Sequence, residues 1–207
     1  MNSSVHTLII VLPIILIAIS VHEMMHALTS YWLGDDTAYG QGRVSLNPLR
    51  HIDPFLTVLL PAMLLLAGQP AFGAARPVMV NYGRIRWGEY GGAIVAMAGP
   101  LTNLAMAAIA AILLRGLHPE VYSNLFYFLY YAVAINVGFF VFNSIPWPPL
   151  DGSRLLYAFA PRPLQELMEM IESWGILGLV IILLFAYPLI FPLISHLTSA
   201  LTRGLLV

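Results

Sequence analysis

From Val5 to Val21 the chain holds a nearly unbroken apolar run in which only His6, Thr7 and Ser20 resist burial, and this run leads directly into His22-Glu23-Met24-Met25-His26. A stretch approaching the roughly 20 residues that cross a bilayer has no place on a water-soluble fold. Residues 1–5 carry no Lys or Arg, and no small-residue cleavage site ends the run, so it reads as a retained helix rather than a cleavable signal peptide. Helical character can continue to Leu33, where Gly34 supplies a stop.

Composition extends this to the whole molecule. Of 207 residues, 59% are hydrophobic and 9% charged, against about a quarter charged in a soluble domain. All nine cationic side chains are Arg, and they are too dispersed to form a nucleic-acid footprint. The chain has no Cys, which removes disulfides, thiolate nucleophiles and thiolate metal ligands together. Any catalysis must use oxygen and imidazole chemistry.

The expected fold is an all-α polytopic membrane protein with about four full crossings. After the first, Gly92–Leu114 is interrupted only by Thr102 and Asn103, Tyr122–Phe142 opens with interfacial aromatic residues, and Trp174–Thr202 is broken at Pro188 and Pro192. Residues 55–67 are apolar but span only about 20 Å, which suits a short re-entrant or partial helix. Residues 75–82, ARPVMVNY, suggest a small β-strand or hairpin near 70–90. Glu166, Glu169 and Glu172 recur at spacing three, as on the solvated face of a surface helix. The expected organisation is one membrane-embedded core over 1–207 with no separate soluble domain. Positive-inside reasoning puts Arg43, Arg50, Arg76, Arg84, Arg86, Arg154 and Arg162 on the cytoplasmic side, the amino terminus outside and the site facing the cytoplasm, at the cell membrane in a prokaryote.

The HEMMH segment carries the chemistry. Positions i and i+4 lie on one side of a helix, so His22 and His26 form a two-armed clamp for a metal, and Glu23 is placed to take a proton from water there. With six His and six Glu in the chain, such a match arises by chance on the order of 0.005 times. Two imidazoles and a carboxylate in one turn of a membrane helix are also expensive in lipid without a function. A third ligand must come from the remaining His, Asp and Glu. Asp151 stands out among them because it lies in Asn143-Ser-Ile-Pro-Trp-Pro-Pro-Leu-Asp151-Gly152, where prolines break the backbone directly after a membrane helix. His51 and Asp53 suit loop capping, His6, His118 and His196 are isolated, and the aromatic cluster from Tyr122 to Tyr131 suits packing and interface anchoring.

Three segments in fixed order, HEMMH at 22–26, AGPLTN at 98–103 and NSIPWPPLDG at 143–152, resemble the site-2 protease family of intramembrane zinc metalloproteases. The resemblance implies one Zn2+ held by His22, His26 and Asp151, Glu23 as general base, Asn143 binding or orienting the substrate backbone, and Asn103 lining the site. It implies a substrate that is a transmembrane protein or peptide, opened locally; strand-addition logic adds the expectation that an edge strand near 75–82 holds the opened segment. Many members carry a peptide-binding or nucleotide-sensing domain, and this chain looks like a minimal form without one. Rival readings are a membrane HExxH protease with a downstream Glu as third ligand, a divalent-metal transporter, and a non-catalytic chaperone with a relict site. No oligomeric state follows from the sequence.

Overall fold

The computed structural model describes residues 3–53, 76–175 and 187–206, with Leu59 and Met63 between. Its helices are α1 (Ser3–Trp32), α2 (Thr37–Gly40), α3 (Gly88–Leu117), α4 (Asn124–Asn143), α5 (Gly152–Phe159), α6 (Arg162–Ser173) and α7 (Tyr187–Leu206). Three of them contain segments long and apolar enough to cross a bilayer: Ile9–Trp32, Gly88–Leu117 and Asn124–Asn143. Their outer faces leave Ile9, Ile109 and Ile112 exposed, as a lipid-facing surface requires.

The central helix is α3, which packs against α1, α4 and α5, while α7 lies against α4 and α3. Ile10 and Ile14 of α1 meet Ala107, Ala110 and Ala111 of α3 and Ala132, Val133, Val137 and Val141 of α4 in one buried cluster. The alanines let the backbones approach closely, which is how membrane helices gain contact when lipid is as apolar as their side chains. Local signals set the helix ends. The Ser123 hydroxyl accepts from the Phe126 amide at 3.1 Å at the start of α4, and Pro146, Pro148 and Pro149 follow its end at Asn143.

A layer of loops covers the carboxy-terminal end of α1. Asp35 is fully buried there; its carboxylate accepts from the Thr37 amide at 3.0 Å and the Asn81 amide at 2.8 Å. The Arg86 amide donates to Leu33 O at 2.8 Å, and Leu33, Ile85 and Val95 pack beneath Val80 and Tyr82. Arg43, also buried, donates to the carbonyls of Arg50 and Pro77.

Two sequence expectations are corrected. No strand occurs among the described residues, so the hairpin near 70–90 is not found where the structure describes that stretch. Residues 76–81 instead spend their backbone on loop partners, Arg76 N bonding His51 O at 2.8 Å and Asn81 N bonding Asp35, and Pro77 has no N–H to give a ladder. The count of four crossings is replaced by three among the described helices. Helix α7 carries Ser195, His196, Thr198, Ser199, Thr202 and Arg203, which dilute its apolar character. The expected re-entrant segment at 55–67 lies outside the described residues apart from Leu59 and Met63, as do residues 176–186 of the last apolar block.

Candidate metal centre

Helix α1 places both imidazoles on one side within its last three turns, facing α3. His22 and His26 are buried, and their Nε2 atoms are 3.0 Å apart. The third group arrives from the far end of α4. There the chain turns sharply through Ile145–Leu150, with Trp147 N bonding Ile145 O and Leu150 N bonding Trp147 O, each at 2.8 Å. The Pro148–Pro149 bond is cis. Gly152 lets this turn close onto the helix, since a Cβ there would lie 2.3 Å from Ser144 O and 2.7 Å from Ile145 O. The result puts Asp151 Oδ2 at 3.1 Å from His22 Nε2 and 3.4 Å from His26 Nε2.

Hydrogen bonds behind the imidazoles assign their protons. His26 Nδ1–H donates to the Val95 carbonyl at 2.8 Å. His22 Nδ1–H donates to Asn103 Oδ1 at 2.6 Å, because the Asn103 amide nitrogen is engaged with Asn136 Oδ1 at 2.9 Å and Ala18 O at 3.4 Å. In neutral rings held this way, both Nε2 atoms carry the lone pairs. Two imidazole nitrogens and a carboxylate oxygen, all within 4.8 Å of one another, converge on one point. Three electron-rich atoms in a buried site repel one another unless a cation stands between them. The donor set of two neutral nitrogens and one oxygen fits zinc, and three protein ligands leave a position for water or substrate.

Gly99, in the AGPLTN segment, faces this point; a Cβ would come within 2.7 Å of His22 Nε2. Glu23 is half-buried on the adjoining face of α1. Asn103 is fully buried behind His22, so its amide touches an imidazole and not a surface open to substrate. Asn143, the last residue of α4, is half-buried and donates to Phe139 O of its own helix at 3.0 Å. His51 is buried in the loop layer, its Nε2–H donating to Ser45 O at 2.7 Å. Glu169 and Glu172 are engaged with Tyr157 and Arg154.

Over 182 residues the chain is 37% identical to YwhC of Bacillus subtilis, named as a candidate zinc metalloprotease; the match covers 84% of this chain and 79% of that protein. The chain belongs to the site-2 protease family of zinc metalloproteases. Rip2 of Mycolicibacterium smegmatis, named likewise, is 28% identical over 183 residues, covering 88% of this chain and 69% of the relative. MJ0611 of Methanocaldococcus jannaschii, with the same kind of name, is 34% identical over 86 residues, 39% of this chain and 44% of its own. No protein-family model matches the chain, and no solved structure matches it significantly. The family's cofactor is zinc, which agrees with the donor set found here.

Two features escaped the sequence reading. Asn136 gave no sign beyond being one amide in an apolar helix, and Gly99 entered only as part of the AGPLTN motif, with no role of its own. Intramembrane polarity was the available signal for Asn136.

Proposed function

We propose that this protein hydrolyses peptide bonds in or near the transmembrane segments of other membrane proteins, with zinc held by His22, His26 and Asp151. The observation that carries the reading is the convergence of those three side chains on one buried point, on a chain whose long helices are built for lipid. When bound, zinc supplies Lewis acidity that polarises a carbonyl and acidifies water.

The protein's own groups have distinct tasks in this reading. His26 Nδ1–H on Val95 O and His22 Nδ1–H on Asn103 Oδ1 hold both rings so that Nε2 faces inward. Glu23, on the same helical turn, takes the proton from the attacking water and passes it to the leaving amine. Asn143, at the mouth of the break that delivers Asp151, orients the substrate backbone with its amide. The exposed Arg50, Arg76, Arg84 and Arg86 lie in the loop layer at the same end of α1 as the centre, which supports a site opening toward the cytoplasm.

The test is cleavage of a single-span substrate reconstituted with the purified protein. Wild type should cleave it, and Glu23→Gln should retain zinc while losing at least about a hundredfold in rate. Cleavage by Glu23→Gln at the wild-type rate, or zinc flux without cleavage, would overturn the reading.

A further inference from the structure

We propose that Asn136 is a positioning residue for zinc: acting through Asn103, it dictates which nitrogen of His22 faces the ion. This rests on the reading that His22 and His26 hold the metal. Asn136 lies on α4 beside Ala132, Val133 and Val137 and is 2% exposed. A buried amide among apolar side chains is costly unless its polar atoms are satisfied. Here both are: its Nδ2 donates to Ala132 O at 2.9 Å, and its Oδ1 accepts from Asn103 Nδ2 at 2.9 Å.

The bonds run in one direction. With Asn136 Oδ1 as the nearer acceptor at 2.9 Å, and Ala18 O a longer second one at 3.4 Å, the Asn103 amide has one favourable orientation, its nitrogen toward these oxygens and its own oxygen toward His22. That oxygen accepts from His22 Nδ1–H at 2.6 Å. Remove the Asn136 carbonyl and the Asn103 amide can turn over, presenting its NH2 to His22. The imidazole would then accept at Nδ1 and carry its proton on Nε2, the nitrogen aimed at His26 and Asp151. A protonated Nε2 cannot ligate zinc. Asn136 therefore does not touch the ion, yet it favours the His22 tautomer that can hold it.

The same helix reaches the centre a second time. After Asn143 the chain leaves α4 and delivers Asp151. One helix thus sets the proton on His22 from behind and brings the carboxylate to it from in front. A shift of α4 against α1 and α3 disturbs both together.

The experiment measures Zn2+ affinity of the detergent-solubilised full chain by competition with a chromophoric chelator. Asn136→Leu, similar in size, should weaken zinc binding about tenfold, within the range typical of groups that orient a ligand. Asn136→Asp keeps an acceptor for Asn103 and should stay within about threefold of wild type. In an Asn103→Ala background Asn136→Leu should weaken binding no further, because the two act as one unit. Asn136→Ala carries the same expectation as Leu and replaces it if Leu does not fold. Wild-type affinity in both apolar variants, equal loss in Leu and Asp, or full additivity with Asn103→Ala would overturn the proposal. His22→Ala serves as reference. If it binds zinc as wild type does, the reading of the site fails; if it loses zinc and Asn136→Leu does not, only the role of Asn136 fails.

Discussion

Gly99 and His26 are so close that a methyl group on the glycine would lie 2.4 Å from the imidazole Nε2. The space in front of the metal-facing nitrogen is thus bounded by bare backbone of α3. Gly99→Ala should push the imidazoles apart and reduce zinc affinity about a hundredfold, as displacements of about 1 Å do at reacting centres. Helix content should remain near wild type, because the helix itself tolerates Ala better than Gly. Zinc titration beside circular dichroism checks both halves, and a Gly99→Ala protein with normal zinc affinity would refute the packing account.

Asp151 is the only carboxylate among the described residues that joins both histidines. Asp151→Asn keeps the shape and removes the charge, so zinc should dissociate far more readily during dialysis against a chelator, with cleavage lost in parallel. Gly152→Ala should do similar damage at a distance, since its new Cβ would strike Ser144 O. Full zinc retention in Asp151→Asn would favour a protease that draws its third ligand from elsewhere.

Asp35 makes the loop layer sensitive to acid. Burial alone would raise its pKa, but hydrogen bonds from the Thr37 hydroxyl and the Asn81 and Thr37 amides outweigh this and hold the carboxyl below its ordinary value of 3.8. A carboxyl depressed in the folded state stabilises the fold fully above its unfolded pKa and loses that contribution as pH falls through the folded value. Hydrogen exchange at Asn81 should therefore accelerate below about pH 4. Asp35→Asn should flatten that pH dependence and, by weakening these hydrogen bonds, lower stability by about 1–3 kcal/mol at neutral pH.

Arg154 fastens three segments beyond the metal centre. Its guanidinium lies 4.3 Å from the centre of the Tyr82 ring and pairs with Glu172 of α6. Arg154→Ala should cost about 1 kcal/mol and speed hydrogen exchange in α6 and around Tyr82 together. Faster exchange in one without the other would show that the arginine does not link them.

The parts of this architecture visible in the sequence are those written in short-range geometry. His22 and His26 share a face because helix periodicity requires it, and the proline-broken turn marked Asp151. Relationships between helices were less legible, because no local pattern phases one helix against another. Asn103 sits behind His22 with its oxygen on the imidazole, while Asn136 meets Asn103 across the α3–α4 seam. The hairpin expectation drew on the run ARPVMVNY at 75–82, yet the backbone of Arg76, Pro77 and Asn81 bonds loop partners instead of a neighbouring strand. Three of the expected apolar crossings have matching helices. The fourth expected block, Trp174–Thr202, has no matching span among the described helices, where α7 carries hydroxyls, His196 and Arg203 near its end, and its residues 176–186 lie outside the described residues.

The histidine pair belongs to the opening helix, and the aspartate follows α4, so both α3 and α4 lie within the stretch of chain between them. An ion gripped by all three would close that stretch into a ring. Emptied of metal, the helices could drift apart one at a time; filled, they would have to come undone as a single unit. Chelation should therefore blunt the cooperativity of unfolding as well as abolish turnover.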